Sequence, residues 1–354
     1  MTNRKEKDYY YMYRCLEIAR QGQPYALPNP MVGAVIVQNE KIIGEGFHRA
    51  YGEAHAEVNA IDKVVNKSLL KDSTLYVNLE PCAHYGKTPP CANLIVSHKI
   101  GRVVIGQVDP NPLVSGKGIK ILQQGGCEVT TGVLQQESRM LNRRFNTFQE
   151  KRRPFIILKW AQTMDGYIDI IRNSNSPAQP TWITGEAARL LVHKWRTREM
   201  AIMVGTETAL KDNPRLNVRE WVGNHPVRIT LDLNKRLPKS LHLFDQSVPT
   251  IVFTYHDVPS LHNLTYIKID KEKTVLSQVT KILFNMNITS LFVEGGQQLL
   301  NSFIGHNLWD EARVFTGEKY FIEGIAAPAT GTNPESIVSL KSGKLSLYAN
   351  NSAI

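Results

Sequence analysis

The sequence predicts an α/β protein in two domains, on three observations. Short β-branched runs alternate with helical patterns along both halves of the chain, the length is 354 residues, and a polar, basic segment bearing a proline (NTFQEKRRP, 146–154) separates the two series. Strand–helix alternation at this spacing is the pattern of a layered sandwich on a largely parallel sheet. The length exceeds what one domain of ordinary size needs. The expected division is residues 1–148 and 149–354.

In the first half, 10–21 has apolar residues at helical spacing (Met12, Cys15, Leu16, Ala19) before Gly22. MVGAVIVQNEKIIGEG reads as two strands around a polar turn. AHAEVNAIDKVVNKS reads as a helix with Ala54, Val58, Ile61 and Val65 on one face. A strand STLYVNLEPC, a helix CANLIVSHKI, a strand RVVIGQV, a helix GIKILQQGG and a strand CEVTTGVL complete the series. In the second half FIILKWA, AIMVG, VRITLDL, TIVFTY and SLFVEGG read as strands, and GEAARLLVHKWRT and QQLLNSFIG as helices. The stretch 169–181, rich in Ser, Asn and Pro, reads as a loop.

Composition narrows the function classes. The 42 Lys+Arg against 32 Asp+Glu give a net charge of +10, split +4 and +6 between 1–150 and 151–354, without a run of like charge. A nucleic-acid binder would cluster that excess, so no nucleic-acid partner is expected. No apolar run is long enough to span a membrane and the first residues lack a signal-peptide pattern, so a cytoplasmic location is expected. Four cysteines are too few for a disulfide framework and read instead as metal ligands or redox thiols.

The most specific constellation is His55-Ala56-Glu57, then Pro81-Cys82 and Pro90-Cys91. One imidazole and two thiolates make a three-ligand Zn2+ set with a fourth position left for water. Glu57, two residues from His55, is placed to move a proton between that water and a leaving amine. Zinc nucleobase deaminases carry H-x-E and then P-C-x-x-C; here eight residues, not two, separate the thiols. A structural zinc knot would need a fourth ligand, and Cys15 and Cys127 sit in helix-like and strand-like contexts. In the second half no G-x-G-x-x-G occurs, so a Rossmann dinucleotide domain is unsupported. Glu294-Gly295-Gly296 lies at a strand-to-helix turn, suited either to an anion or to a plain cap.

PNPMVGAVIV, GFHRAYGEAHAEVNAI, LEPCAHYGKTPPC and VDPNPLVSGKGIKILQQGGCEVTTGVL together resemble the deaminase domain of the bifunctional riboflavin-biosynthesis deaminase/reductase family. LKWAQTMDGYI, WITGEAARLLVHKWRT, AIMVGTETALKDNPRLNVR, PVRITLD and LFVEGG resemble its reductase half, in the family's order. The resemblance implies a cytidine-deaminase-like α/β/α sandwich followed by a dihydrofolate-reductase-like α/β domain. It implies zinc on His55, Cys82 and Cys91 with Glu57 as proton shuttle. It implies hydrolytic deamination of a phosphorylated diaminopyrimidinone, then NADPH-dependent reduction of the ribosyl to a ribityl chain.

By the same resemblance Asn29 and His48 line the pyrimidine pocket and Lys87 meets its phosphate; a turn residue and a solvated lysine are the alternatives for Asn29 and Lys87. Ala161, Trp182, Thr208, Asp212 and Gly296 would face NADPH. Lys159, Arg196, Leu216, Arg219 and Glu294 would face the phosphorylated substrate, with the arginine forks suited to phosphate. Trp182 could instead be core, Asp212 only a turn former, and Arg196 and Arg219 ordinary surface residues. Two segments depart from the family pattern: Ala-Gln-Pro-Thr before Trp182, and the tail from about 316, whose last strands are expected to be atypical. An editing deaminase acting on nucleic acid would show a two-residue Cys spacing and a basic cluster, and neither is present. A homo-oligomer is compatible with these readings.

Overall fold

The computed structural model describes residues 3–83, 89–112, 114–172 and 179–350, and divides into two compact units, Met1–Arg152 and Arg153–Ile354. The division falls four residues beyond the expected 148/149, which lies inside the helix Arg143–Lys151 and not in a linker.

The first unit runs α1 (Arg4–Ala19), β1 (Gly33–Gln38), β2 (Lys41–Phe47), α2 (Ala56–Lys63), β3 (Thr74–Leu79), α3 (Cys91–Ser97), β4 (Arg102–Gln107), α4 (Lys117–Gln124), β5 (Glu128–Thr131), α5 (Gln135–Leu141) and α6 (Arg143–Lys151). Helix α1 starts earlier than its apolar periodicity because Asn3 and Glu6 form a reciprocal cap. Helix α2 is shorter than expected: it stops at Lys63, Val64 is buried, and Val65 points fully to solvent. The sheet order is β2-β1-β3-β4-β5. Only β3–β4 and β4–β5 are parallel; β1 pairs antiparallel with both β2 and β3, so the sheet is mixed where a largely parallel one was expected. The two-residue turn at Asn39–Glu40, both at positive φ, accounts for the antiparallel hairpin. Strand alternation then builds two cores. Ala34, Ile36, Val77 and Ile105 pack with Ala60 of α2 and Ile95 of α3, while Val35, Val37, Tyr76 and Val104 pack with Met12 and Cys15 of α1. This is a three-layer α/β/α sandwich.

The second unit runs β6 (Phe155–Gln162), β7 (Tyr167–Asp169), α7 (Glu186–Arg196), β8 (Ala201–Val204), α8 (Thr206–Asp212), β9 (Val227–Leu231), β10 (Thr250–Thr254), β11 (Leu264–Lys268), α9 (Val275–Asn285), β12 (Ser290–Gly295), α10 (Gln297–Gly305), β13 (Glu311–Thr316), β14 (Ile325–Ala326), β15 (Ser336–Leu340) and β16 (Gly343–Ala349). Its main sheet is ordered β11-β10-β9-β8-β12-β6-β13-β16-β15. The first seven in that order are mutually parallel, and β16 and β15 close the edge antiparallel. The tail from about 316, with its last strands expected to be atypical, supplies the terminal hairpin β15–β16 that pairs with β13. Helices α9 and α10 cover one face through Leu276, Val279, Leu300 and Phe303; α7 and α8 cover the other through Ala188, Val192 and Ala209.

Beneath this second core lies a buried arginine. Arg228 is 1% exposed and donates to Thr250 Oγ1, the carbonyls of His242 and Val248, and Asp245 Oδ1 at 2.7–3.0 Å. Truncation removes four hydrogen bonds at a buried site and leaves the Asp245 carboxylate without its cation, so Arg228→Ala should destabilise this unit by about 3 kcal/mol. All five tryptophans lie in it, so tryptophan fluorescence in a urea titration reads the loss as a lower midpoint.

Candidate functional sites

In the first unit, β3 ends at Leu79 and the chain passes Glu80-Pro81 to Cys82, while His55 caps α2 and Cys91 opens α3. Three separate elements thereby converge. His55 Nδ1 lies 3.5 Å from Cys82 Sγ and 3.3 Å from Cys91 Sγ, and the Cys91 N–H donates to Cys82 Sγ at 3.3 Å. The three donor atoms all lie within 4.8 Å of one another, a donor set that could hold a metal ion. The electrostatics of the donors agree. Cys82 is held far below the ordinary thiol range, chiefly by the hydrogen bond from Cys91 and then by His55 against the opposing effect of burial. Cys91, facing that thiolate, is pushed up.

Glu57, in the first turn of α2, is 3% exposed. Burial, then the Cys82 charge, pushes its carboxyl up to about 7. Asn29 and His48 join the same site. Asn29 Nδ2 donates to His48 Nε2 at 3.0 Å, His48 Nδ1 donates to the Ala54 carbonyl at 3.1 Å, and the His48 and His55 rings meet edge-on at 5.6 Å. Those two contacts leave His48 neutral with its proton on Nδ1, and burial lowers its pKa further. Lys87 lies outside the described residues.

Three supporting residues escaped the sequence reading. Asn142, 111 residues from Met31, accepts its N–H and donates to its carbonyl, and Asn78 donates to that carbonyl too. Together they hold the segment that follows Asn29. Glu80 accepts the N–H groups of Asp109, Gly116, Gly118 and Ile119 at 2.9–3.3 Å, which anchors the start of α4. The one available signal was Glu80 directly before Pro81-Cys82; nothing local marks the asparagines.

In the second unit a cavity of about 510 Å³ opens at the C-terminal ends of β6, β12, β8 and β9. Ala161, Thr208, Asp212, Glu294 and Gly296 line it. Gly296 has φ +50°, and a Cβ there would stand 3.0 Å from Thr208 Oγ1, so a larger residue is strained on both counts. Trp182 is not among the lining residues: it is 54% exposed, packed under the Arg189 guanidinium at 5.7 Å, and its neighbours Thr181 and Ile183 line the cavity instead. It is therefore not core either.

Arg196 differs from the phosphate contact expected of it. Its Nε and Nη2 donate to the two Glu294 carboxylate oxygens, each at 2.7 Å, and its Nη1 donates to the Asn217 carbonyl at 2.9 Å. All three guanidinium nitrogens are committed within the protein, and the pairing keeps Glu294 ionised despite its burial. Lys159 is half-buried nearby; desolvation lowers its pKa and Glu294 partly restores it. Arg219 is exposed, with its pKa lowered by desolvation and then by Arg196, Arg215 and Arg189. Its N–H donates to the buried His193. Leu216 is buried at φ +49°, a left-handed conformation that strains a branched residue.

The loop 169–181 contributes more than its composition indicated. Asp169 Oδ1 accepts from Arg172 Nη2 at 3.0 Å and Thr181 Oγ1 at 2.7 Å, and all three residues line the cavity. Arg172 Nη2 also lies 3.3 Å from Asp212 Oδ1, yet that oxygen and Arg172 Nε are buried without a hydrogen bond. Polar atoms left in that state on a cavity wall are suited to a ligand. A lone Arg in a Ser/Asn/Pro loop was the only local hint.

Comparison with known proteins places both units. Residues 5–107 match the cytidine and deoxycytidylate deaminase zinc-binding region, and residues 154–321 match the RibD C-terminal domain. The chain is 40% identical over 333 residues to the riboflavin biosynthesis protein RibD of Aquifex aeolicus, covering 91% of this chain and 90% of that one. It is 41% identical over 329 residues to RibD of Bacillus amyloliquefaciens, covering 90% and 86%. Its fold matches the crystal structure of a diaminohydroxyphosphoribosylaminopyrimidine deaminase/5-amino-6-(5-phosphoribosylamino)uracil reductase from Thermotoga maritima with a TM-score of 0.85 at 36% identity, over 98% of this chain and 99% of that one.

Asp212 yields a stability test of the cavity. Burial raises its pKa to about 6, against the opposing charge of Arg172. Folding therefore favours its protonated form, and the cost of keeping it ionised is full above pH about 6 and fades as pH falls toward 3.8. Asp212→Asn should raise stability by about 2 kcal/mol at pH 8, with the gain disappearing near pH 4, read from urea midpoints across that range.

Proposed function

The chain belongs to the RibD family of riboflavin-biosynthesis proteins, and on that premise we propose how its two sites divide the work of a deaminase and a reductase. The first unit hydrolyses the amino group of a diaminohydroxyphosphoribosylaminopyrimidine, and the second reduces the ribosyl chain of the product with NADPH. The observation that carries the first assignment is the convergence of His55, Cys82 and Cys91 with a buried Glu57.

The donor set suits zinc: one imidazole nitrogen and two sulfurs, with Cys91 at the start of α3, where the N-terminal dipole favours a thiolate. A zinc ion held there supplies the Lewis acidity that activates water for hydrolysis. Glu57 takes the water proton and returns it to the departing amine; a carboxyl with a pKa near neutrality can do both. Water oxygen replaces nitrogen on the ring carbon and ammonia leaves. His48 holds Asn29 so that its amide can pair with donor and acceptor edges of the pyrimidine. Lys87 remains a candidate for the phosphate.

In the second unit Ala161, Thr208, Asp212 and Gly296 would hold the nicotinamide cofactor, whose part is to donate hydride. The Asp212 oxygen that accepts no hydrogen bond and the Gly295-Gly296 turn support that fit. Glu294, fixed by Arg196, would accept hydroxyl groups of the sugar chain. Lys159, beside it, is the group whose lowered pKa suits proton transfer to the reduced chain. Arg219, exposed among other guanidiniums, would meet the phosphate, with the Leu216 backbone alongside. Arg196 acts by positioning Glu294.

Two experiments test this division. Glu57→Gln should lower ammonia release by at least 100-fold while reduction of supplied deaminated substrate stays within twofold of wild type. Parallel loss of both activities would overturn the separation of roles. Purified protein should carry one zinc per chain, and Cys82→Ser should lose most of it, measured by plasma emission spectrometry, with cofactor oxidation on deaminated substrate retained.

A further inference from the structure

The order of strands along the second cavity assigns its far end. The lining strands β6, β12, β8 and β9 are successive neighbours in the sheet, all parallel, so their C-terminal ends form one row. At about 4.8 Å per strand, the row from Ala161 near the end of β6 to Leu231 at the end of β9 spans roughly 14 Å. Its chemistry changes along that distance. At the β6 end stands Ala161, with Glu294 on the neighbouring strand β12. In the middle are the Gly295-Gly296 turn and the first turn of α10, where helix N–H groups lack intrahelical partners and suit an anion. At the β9 end an apolar slot is formed by Leu231, Leu233, Val275 and Leu276. A dinucleotide fits this row in one sense only: reacting ring at β6, pyrophosphate in the middle, adenosine at β9.

Arg236 stands at that adenosine end. Its backbone is fixed because the Arg236 N–H donates to Asp232 Oδ1 at 2.7 Å, and Asp232 is 5% exposed. Its side chain is exposed and, among the described residues, its partner is Glu207, with Nη2 donating to Oε1 at 2.8 Å. The cavity is thus lined by both groups that distinguish the two nicotinamide cofactors. A carboxylate accepts a hydrogen bond from a plain ribose 2′-hydroxyl, whereas an arginine takes a 2′-phosphate. We propose that Arg236 reads the 2′-phosphate of the cofactor's adenosine ribose, and that Glu207 sets how strongly the phosphorylated form is preferred. This rests on the cofactor reading of the cavity above. An exposed ion pair is weak, so a phosphate dianion can open it and take the guanidinium fork with two oxygens. Glu207, left beside the phosphate, limits the preference by repulsion.

The test uses the full-length protein and two fragments of the adenosine half, adenosine 2′,5′-bisphosphate and 5′-AMP, titrated calorimetrically. Wild type should bind the bisphosphate about 10-fold to 100-fold tighter than 5′-AMP. Arg236→Ala should bring the ratio near one by weakening the bisphosphate alone, Arg236→Lys should retain part of it, and Glu207→Gln should enlarge it. The ratio of kcat/KM for NADPH over NADH should move in the same directions. A ratio unchanged in Arg236→Ala overturns the assignment of Arg236 while leaving the cofactor cavity standing. Wild type binding neither fragment, with reduction still measurable, overturns the cofactor reading itself.

Discussion

Parallel strands cannot be joined by a tight turn; each must be left through a crossover that brings the chain back to the start of the next. That constraint gathers the C-terminal ends of the strands, and the N-termini of the helices that follow, along one edge of each sheet. Both candidate sites are built there. In the first unit Cys82 follows β3 and Cys91 opens the helix that leads to its parallel neighbour β4. In the second, Gly205 and Gly296 are the turns after β8 and β12. Residues far apart in sequence meet because the topology returns them to the same edge, with helix dipoles already directed at the space between.

The buried carboxylates show how surroundings assign different states to one functional group. Glu294 is buried yet has its pKa lowered, because the Arg196 fork pairs with both of its oxygens. Glu57 and Asp212 are raised to about 7 and about 6, because burial outweighs the charges that would hold them ionised. A protein selected only for stability would replace Glu57 and would pair Asp212 more fully than its single approach to Arg172 does. Their retention at the mouths of two separate sites is the pattern expected where a proton or a ligand is to be exchanged.

The charge excess follows the same division. A +10 balance, spread without runs along the sequence of both units, gives a net field that attracts anions. In the second unit Arg219 has its pKa lowered by desolvation first, and then by the nearby Arg196, Arg215 and Arg189. Cations crowded together against their own repulsion are suited to an anionic ligand. Arg196, close to them, is paired with Glu294.

By sequence alone, the two-domain α/β class and the metal-donor set with its neighbouring Glu57 were legible, since each depends on local spacing and residue type. His-x-Glu and two Pro-Cys pairs are short-range signals, and apolar periodicity marks most of the strands and several helices. The strands of the tail and the helices at 135–151 were not legible, because their periodicity is weak and their burial comes from partners elsewhere. Asn142 and Asn78 hold the segment after Asn29 across separations that no local pattern records. The commitment of Arg196 to Glu294, the place of Trp182 outside the cavity, and the pairing of Arg236 with Glu207 were likewise decided only in three dimensions. A side chain's type limits what it can bind, but which partner reaches it first, and whether water is excluded there, depends on contacts between elements distant in the chain.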